Sequence, residues 1–473
     1  TYTTFENVLF AGVLTNFDNF GEATIAAENV TFGDSACFWG QSVPASFTCA
    51  LTNCILANIT NFDGFPGSAT NIFGAYNGSF AAQTVGTPYF LTYTNPFQAT
   101  GAGGYYLAGR TFRAAGTLNV DPALLSDLAQ RTTYPPTVYD ATNVSFLRAL
   151  GPDAPRDTNA EVGEPPDLGF HYDPLDYVFG GCELTNDLTF AAGTAVGWFE
   201  DYGSMNEYYP YPPYGIGLGN GASISFNGSA SQPDAFVRYN AVQEGADGSW
   251  GGSGWMGAIM FDGGDTNLEP RLSANFTQFS QDSAGANLFR DDWACGAAGF
   301  RNCEFDTAPF STYVMQSADF TNCLFFRCED YFYDSGGEGE GYAASYAFEN
   351  CTFYDGSIFS GRYDGSPPLE DAGLSSSFWL MENCAFDGTA FRWSDCLAAS
   401  STNTFFDYNA YNTNNLNWTN YSQYNGTNEI LGKSDLLTAG YNWESSWFGD
   451  FYLPFDSPLI QRGSTNANLL GLY

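Results

Sequence analysis

The sequence predicts an all-β protein built as a parallel β-helix, a solenoid in which successive coils stack through their strands. Three observations support this prediction: a short motif recurs along the chain, its apolar residues follow the two-residue period of strands, and turn residues are frequent. The 473 residues include 53 Gly, 22 Pro and 18% aromatic residues, which suits many turns around an aromatic core. A solenoid of this length can form one body without separate globular domains.

The recurring motif is a hexapeptide with Asn at its third position. Its four strong copies, which also carry Cys at the fourth position, are Phe300-Arg301-Asn302-Cys303-Glu304-Phe305, Phe320-Thr321-Asn322-Cys323-Leu324-Phe325, Phe348-Glu349-Asn350-Cys351-Thr352-Phe353 and Met381-Glu382-Asn383-Cys384-Ala385-Phe386. Weaker copies centre on Asn7, Asn29, Asn53 and Asn143. The strong copies recur after about 20 to 33 residues, the length of one solenoid repeat.

Within the motif, Asn is predicted to bend the chain between two short strands. Side chains alternate between the faces of a strand, so Cys351 and Phe353 share the inner face. Phe348 can share that face only if Asn350 turns the chain, and Asn tolerates the left-handed backbone region better than most residues. A second inward position is expected seven or eight residues after each Cys, at Phe310, Phe359 and Phe391.

Equivalent residues of adjacent coils are expected to stack roughly 4.8 Å apart. The predicted ladder of stacked side chains consists of Asn302, Asn322, Asn350 and Asn383, together with the column Cys303, Cys323, Cys351 and Cys384. We favour the interpretation that these cysteines are small apolar core residues. The alternative for the 11 cysteines is disulfide formation in an oxidising compartment, with Cys49–Cys54 and Cys323–Cys328 as close pairs.

The chain is predicted to contain two modules. Residues 1–118 are interpreted as the closing coils of a first β-helix module, because the passage before residue 118 resembles the end of the chain. Two segments of each passage match, with a one-residue offset between them. The first passage contains Gly104-Tyr105-Tyr106-Leu107 and Phe112-Arg113-Ala114-Ala115-Gly116-Thr117, and the end of the chain contains Asp450-Phe451-Tyr452-Leu453 and Leu459-Ile460-Gln461-Arg462-Gly463-Ser464-Thr465. Residues 177–473 would form the second module, with loop insertions.

Residues 119–176 are predicted to join the two modules. They contain the one convincing helix, which spans 121–129 with Asp121 as N-cap and Pro122 in its first turn. The rest of the joint is rich in Pro, Gly and acidic residues. It ends in the passage Pro166-Asp167-Leu168-Gly169-Phe170-His171-Tyr172-Asp173-Pro174.

This passage and the hexapeptides carry a resemblance to a known family. Together with Phe236-Val237-Arg238-Tyr239-Asn240, Trp250-Gly251-Gly252, and Ser457-Pro458-Leu459-Ile460 before Gly463-Ser464-Thr465, they resemble large secreted bacterial proteins built of right-handed parallel β-helix repeats, with a pectin-lyase-like fold. The resemblance covers most of the chain. It implies right-handed coils and secretion more strongly than any activity, because most such proteins are uncharacterised.

The charge of the chain limits its partners. With 52 acidic and 14 basic residues, the formal net charge is −38. Nucleic acids and anionic membranes bind through clustered Lys and Arg, so neither is expected as a partner, and no apolar run approaches the ~20 residues of a membrane span. Glycosylation sequons such as Asn58-Ile59-Thr60 and Asn227-Gly228-Ser229 suit a secreted, extracellular or cell-surface glycoprotein.

The acidic joint is the predicted metal site, and calcium is the only cofactor considered. Carboxylates in a flexible Gly/Pro-rich loop suit the oxygen-rich coordination of calcium, although their spacing matches no EF-hand. The proposed ligands are Asp153, Asp157, Glu161, Glu164, Asp167, Asp173 and Asp176. The alternative is that these side chains belong to a solvated loop.

Enzymatic activity is the less favoured hypothesis. A polysaccharide hydrolase needs two carboxylates across the scissile bond. Acid pairs occur at Asp262/Asp265, Asp291/Asp292 and Glu329/Asp330, but pairs are expected among 52 acids. A lyase needs a base beside the substrate, bases are scarce here, and a negative surface repels an anionic polymer. We therefore assign no catalytic residue.

Two functional hypotheses remain at the level of sequence. In the first, the protein is an extracellular structural β-helix whose copies stack head to tail into a filament or surface array. Thr1 to Phe10 already form a rung, and the chain stops within its pattern at Tyr473 without a cap, although cut ends are the alternative explanation. In the second, a monomeric β-helix binds or cleaves carbohydrate. Tyrosines that could contact a glycan or a neighbouring subunit are Tyr208, Tyr209, Tyr211 and Tyr214.

Overall fold

The computed structural model of the protein describes most, but not all, of the chain. The described residues are 2–18, 24–40, 48–61, 72–75, 77–80, 89–140, 143–158, 163–200, 214–239, 242–244, 257–261, 268–281, 287–291, 296–312, 315–334, 344–362, 378–393, 404–414, 417–418, 433–439, 442–446 and 449–465. The chain divides into two compact units. Unit 1 comprises Thr1–Val138, Asp153–Asp176 and Val242–Ala246, and unit 2 comprises Tyr139–Pro152, Tyr177–Ala241 and Asp247–Tyr473.

Unit 1 is a parallel β-helix of short strands. Its first sheet, in order, contains β1 (Tyr2–Glu6), β4 (Thr24–Glu28), β7 (Thr48–Thr52) and β9 (Ile72–Ala75). Its second sheet contains β2 (Leu9–Ala11), β5 (Thr31–Gly33), β8 (Ile55–Ala57), β10 (Asn77–Phe80) and β11 (Tyr89–Thr92). A third, two-stranded sheet pairs β3 (Thr15–Phe17) with β6 (Cys37–Trp39). In the first two coils, one strand from each sheet makes one coil.

The coils of unit 1 are followed by a different kind of structure. An antiparallel hairpin pairs β12 (Phe97–Thr100) with β13 (Gly103–Leu107). The predicted helix is confirmed as α1 (Pro122–Leu128), where the Asp121 side chain accepts a hydrogen bond from the amide of Ala123 as an N-cap.

Unit 2 is a longer parallel β-helix with three stacked sheets. The first has eight strands: β18 (Leu188–Ala191), β21 (Ser223–Asn227), β24 (Arg271–Asn275), β27 (Ala297–Arg301), β30 (Ser317–Thr321), β33 (Ser345–Glu349), β36 (Phe378–Glu382) and β39 (Thr404–Asp407). The second has eleven: β14 (Thr137–Asp140), whose first two residues belong to unit 1, then β16 (Tyr177–Gly180), β19 (Ala195–Phe199), β22 (Asp234–Arg238), β25 (Thr277–Ser280), β28 (Glu304–Asp306), β31 (Leu324–Phe326), β34 (Thr352–Tyr354), β37 (Ala385–Asp387), β40 (Ala410–Asn412) and β42 (Leu436–Thr438).

The third sheet of unit 2 has ten strands. They are β15 (Asn143–Val144), β17 (Cys182–Leu184), β20 (Ile216–Leu218), β23 (Gly257–Phe261), β26 (Asn287–Asp291), β29 (Ser311–Thr312), β32 (Glu329–Asp334), β35 (Ser357–Arg362), β38 (Ala390–Trp393) and β41 (Asn417–Trp418). As in unit 1, an antiparallel hairpin follows the coils, here between β43 (Glu444–Ser446) and β44 (Gly449–Tyr452). The predicted parallel β-helix is therefore confirmed.

The Asn of seven of the eight hexapeptides makes the bend between the first and second sheets. The prediction is wrong for the weak copy at Asn143, which lies within β15 of the third sheet. Asn302 and Asn350 each have a φ of 54°, in the left-handed region, and the same conformation occurs at Asn7, Asn29, Asn53, Asn322 and Asn383. The bend turns the chain so that residues on both sides of it point inward, and Phe348 and Phe353 are both buried. The predicted role of Asn is confirmed in the other copies, because few other residues adopt this conformation cheaply.

Stacked aromatic rings fill the core of unit 2. Phe325 lies between Phe305 and Phe353, with ring centroids 4.8 Å and 4.5 Å away and planes almost parallel. A second column, before the bend, stacks Phe320 on Phe348 at 4.8 Å. The registers of the parallel strands place equivalent residues directly above each other, so each coil repeats the packing of the previous one.

One predicted core position is wrong. Phe359 lies half-buried, and the neighbouring Ile358 is the residue that points into the core. Phe310 and Phe391 follow their Cys by seven residues and are buried, whereas Phe359 follows Cys351 by eight. Because the side-chain period of a strand is two, one additional residue moves the side chain to the other face.

The described cysteines are free thiols, which corrects the disulfide alternative for Cys49–Cys54 and Cys323–Cys328. The hexapeptide cysteines are buried in the core of unit 2, and their Sγ atoms contact carbonyl oxygens of the preceding coil, such as Cys351 Sγ to Phe320 O at 3.6 Å. Burial raises the pKa of the Cys351 thiol well above its ordinary value, so this thiol is a poor nucleophile.

Candidate functional site

The joint lies along the Asn ladder of unit 1 and covers it. Nδ2 of Asn29 donates to the carbonyl of Asp167 at 2.9 Å, while Asn7 exchanges two hydrogen bonds with the backbone of His171, at 3.0 Å and 2.7 Å. Asn53 binds Thr117 in the same way, accepting from its amide at 2.8 Å and donating to its carbonyl at 3.0 Å. As a result, Asn29 and Asn53 are completely buried.

The carboxylates of the joint are held separately by their own partners. Asp167 accepts from Arg113 at 3.1 Å, from the Thr133 hydroxyl, and from the amide of Ala114 at 2.8 Å. Each of these donors stabilises the ionised carboxylate in a site that is almost closed to water.

A second buried pair joins Asp157 to the single histidine of the chain. Nε2 of His171 lies 2.8 Å from Oδ2 of Asp157, which also accepts the amide of Asp167 at 2.7 Å. Both side chains are almost inaccessible to solvent. This arrangement fixes the His171 ring inside the joint and does not expose it to a substrate.

Two more acids of the joint form ion pairs with arginine. Asp176 makes two contacts with Arg156, at 2.9 Å and 3.2 Å, and also accepts the amides of residues 153 and 154. Asp173 pairs with Arg131 at 2.7 Å. Asp153 and Glu164 are exposed, and Glu161 lies outside the described residues.

The calcium site of the joint therefore stays a prediction, and several of its proposed ligands already have protein partners. Within the described part of the chain, no three Asp, Glu, His or Cys side chains are placed to hold a metal ion. The physical reason is that the buried carboxylates already have arginine, histidine, hydroxyl and amide donors. They act as structural anchors of the joint.

Sequence reasoning missed the basic partners of these acids. Arg113, Arg131 and Arg156 each bind an acid of the joint. Their clustering was a usable signal, because five of the 14 Lys and Arg residues fall between positions 110 and 156. In a chain so poor in bases, arginines concentrated beside acids indicate ion pairs.

The acid pairs considered for catalysis do not form a described site. Glu329 and Asp330 are adjacent in β32, where Glu329 is exposed and Asp330 is buried. They point to opposite faces of the strand and cannot flank one scissile bond. Asp262, Asp265 and Asp292 lie outside the described residues, and for Asp291 only the backbone is described.

The tyrosine-rich loop is described only at its end. Tyr214 is buried, with 5% of its surface exposed, so it is not available as a platform for a sugar ring. Tyr208, Tyr209 and Tyr211 lie outside the described residues.

The first coil lies at one end of the stacked sheets of unit 1. β1, β2 and β3 are each the outermost strand of their sheet, and β1 pairs with β4 on one side. The core residues Phe5, Val8 and Phe10 are only partly buried there. Tyr2 is 69% exposed and Leu14 is 79% exposed, so this edge is apolar.

This edge lacks the features that protect sheet edges from pairing. Soluble proteins usually place Lys, Pro or inward-pointing charges on such strands. Residues 2–17 contain no Lys, Arg or Pro, and Glu6 is their single charged residue. We call the surface formed by β1, β2 and β3 the first-coil edge.

No protein-family model matches the chain, and no curated protein matches it significantly. Among the described residues, no helical segment has the length and hydrophobicity needed to span a bilayer. The functional interpretation therefore depends on the geometry of the chain itself.

Proposed function

We propose that the protein is an extracellular structural subunit whose β-helix pairs with further copies, end to end, into a filament or surface array. The observation that carries the proposal is the composition of the first-coil edge, which contains no Lys, Arg or Pro and continues the apolar core of unit 1. An additional parallel coil placed on β1 and β2 would cover Phe5, Val8 and Phe10 and continue the aromatic stacking. The contact is between two different surfaces, so it propagates unless it closes into a ring.

The chemistry of the chain supports a structural role over a catalytic one. The described carboxylates of the joint are held by protein donors, and the thiols of the cysteine column are buried. The repeated packing of unit 2 gives long, uniform sheets, which suit a rod or scaffold. The sequons support the secreted location that this role requires.

A charge placed in the first-coil edge tests this proposal. Thr3 faces the interior of the coil, whereas Thr4 of the same strand faces solvent. We expect the unmodified chain to form fibres with a regular axial repeat by negative-stain electron microscopy. Thr3→Lys should abolish them, because an inward charge cannot be buried under the next coil.

Thr4→Lys is the matched control, since the same charge on the outer face leaves the edge open for pairing. Fibres formed by Thr4→Lys but not by Thr3→Lys would support stacking through this edge. Monomers of the unmodified chain at all concentrations in light scattering, or fibres that tolerate Thr3→Lys, would overturn the proposal. Glycan binding by such monomers would favour the carbohydrate hypothesis.

A further inference from the structure

The two units end in the same closing structure. In each, the second sheet has one strand more than the first sheet at its far end, β11 on β10 in unit 1 and β42 on β40 in unit 2. An antiparallel hairpin follows in both units, β12–β13 and β43–β44. The chain then passes through one residue in the left-handed region, Ala114 with φ 47° and Gln461 with φ 61°.

After this residue, both closing segments bind an Asn of the ladder. Thr117 donates its amide to Asn53 Oδ1 at 2.8 Å, and Ser464 donates its amide to Asn383 Oδ1 at 2.6 Å. The preceding residue is Gly in both cases. Asn53 follows β7 and Asn383 follows β36. Each of these strands pairs with the last strand of the first sheet of its unit, β9 or β39, so the two Asn residues occupy equivalent coils.

The sequences of those last strands support the same alignment. Residues 71–77 read Asn-Ile-Phe-Gly-Ala-Tyr-Asn, and residues 403–409 read Asn-Thr-Phe-Phe-Asp-Tyr-Asn. The two Asn residues, the first Phe and the Tyr occupy matching positions in the two segments. The unit 2 equivalent of Asn53 is therefore Asn383. One coil earlier, Asn29 and Thr31 of unit 1 correspond to Asn350 and Thr352 of unit 2.

In unit 1, these ladder positions hold an extended segment of the joint, Asp167-Leu168-Gly169-Phe170. Asn29 Nδ2 donates to the carbonyl of Asp167, and Thr31 Oγ1 accepts the amide of Phe170 at 2.9 Å. Gly169 is required between them. Its φ is 79°, and a Cβ there would lie 2.5 Å from Thr31 Oγ1 and 2.7 Å from the Ile55 side chain.

In unit 2, the same positions have no such cover among the described residues. Nδ2 of Asn350 is buried and has no hydrogen-bond partner, which is costly for an amide. Thr352, Asn383 and Ala385 are half-buried, whereas Thr31, Asn53 and Ile55, their counterparts in unit 1, are fully buried.

An open groove of about 600 Å³ lies over these residues. Its walls include Asn350, Thr352, Asn383, Ala385, Gln461 and Gly463. All of them belong to unit 2, and they correspond to the residues that enclose 167–170 in unit 1. We call this space the ladder groove.

We propose that the ladder groove binds an extended polypeptide segment with an Asp-Leu-Gly-aromatic sequence, in the way that unit 1 holds residues 167–170. The carbonyl of the Asp accepts Nδ2 of Asn350, and the amide after the Gly donates to Oγ1 of Thr352. The Asp carboxylate accepts the amide of Gln461, as Asp167 accepts the amide of Ala114 in unit 1.

The occupant is not residues 167–170 themselves, because they are already engaged in unit 1. Asp167 is 3% exposed and His171 is completely buried in unit 1. Ladder groove binding is independent of end-to-end stacking, since it uses neither β1 nor its neighbours. The two proposals can therefore fail separately.

The test is a fluorescence anisotropy titration of the full chain with a labelled synthetic peptide of residues 164–173. We expect saturable binding that is lost when the peptide carries Gly169→Val, because Val cannot adopt the required backbone or fit between the walls. In the protein, Thr352→Val and Asn350→Gly should each weaken binding about tenfold, the effect of one lost hydrogen bond in a closed site.

Asn302→Gly is the matched control, because Asn302 belongs to the same ladder but lies outside the groove. It should leave peptide affinity unchanged. Absence of binding, equal binding of the Gly169→Val peptide, or affinities insensitive to both Thr352→Val and Asn350→Gly would each overturn the proposal. Thr352→Val preserves side-chain shape, so the test remains valid even if Asn350→Gly alters folding.

Discussion

At the scale of single residues, the clearest departure from an apolar core is Asp330. It points inward from β32 with 1% of its surface exposed, and Phe310 donates its amide to Oδ1 at a long 3.4 Å. Burial, with a smaller contribution from the charge of Glu329, raises the pKa of Asp330 well above its ordinary value. The ionised form is therefore disfavoured in the folded protein.

We predict that Asp330→Asn stabilises the protein at neutral pH. The folded pKa exceeds the unfolded value of about 3.9, so native stability is fully present below that value and falls as pH rises through the folded pKa. Asn keeps the acceptor for the Phe310 amide and never ionises. The gain should be largest at neutral pH and should disappear near pH 3.5, below the unfolded pKa.

Chemical denaturation of both proteins across this pH range measures the effect. Asp319→Asn, on the outer face of β30, is the control and should give a smaller gain because solvent screens its charge. An Asp330→Asn variant that is no more stable than the unmodified protein at pH 7 would show that burial does not disfavour the ionised form of Asp330.

At the scale of the structural element, the hexapeptide is both a bend and a rung of the amide ladder. Asn302 donates to Asn275 Oδ1 at 3.1 Å and accepts from Asn322 at 2.8 Å, whereas Asn350 Nδ2 has no partner. Both residues have the same φ. The two positions therefore separate the contribution of the ladder from that of the backbone conformation.

We expect Asn302→Gly to be more destabilising than Asn350→Gly by about 1–2 kcal/mol. Gly adopts the left-handed conformation freely, so only the two ladder hydrogen bonds of Asn302 distinguish the variants. Thermal unfolding followed by circular dichroism measures this difference. Equal losses would mean that the Asn side chain contributes only through the bend.

The repeated elements were predictable because each one has a local cause. Asn350 bends the chain by its own conformational preference, and the Cys and Phe after it follow the strand period. Phe359 was mispredicted because loop length sets the parity of the third strand, and that length varies between coils. Sequence patterns therefore predict the strands and bend of each hexapeptide, but not which residues point inward in the strand after each loop.

The joint was less predictable because its contacts are distant in sequence. Asp167 meets Arg113 and Thr133, and its carbonyl meets Asn29, 138 residues away. Its acids looked like calcium ligands as a list of carboxylates. Only the fold shows that Asp157, Asp167, Asp173 and Asp176 have basic or backbone donors, because no local rule pairs residues across such separations.

At the scale of the whole molecule, the net charge of −38 opposes any assembly of identical copies. Acidic residues also stack within the sheet that ends at the first-coil edge, where Glu6 lies in register with Glu28. Partial burial, with the charges of Asp121 and Glu28, raises the pKa of Glu6. Charge at this edge therefore favours separation, while the apolar residues favour pairing.

We predict that stacking increases with ionic strength and with falling pH. Raising salt from about 0.01 M to about 1 M shortens the Debye length from about 30 Å to about 3 Å, which screens the repulsion but not the apolar contact. Because the folded pKa of Glu6 is raised, acidification protonates this residue before an ordinary glutamate, and the penalty for adding a coil decreases. Light scattering and negative-stain microscopy across a matrix of salt and pH would follow fibre length. The Thr3→Lys variant is the control, and it should stay monomeric under the same conditions. Its aggregation there would mean that charge screening causes non-specific association and not stacking through the first-coil edge. Fibres that dissolve at high salt would instead mean that ion pairs hold the copies together, and the apolar first-coil edge would no longer explain the assembly.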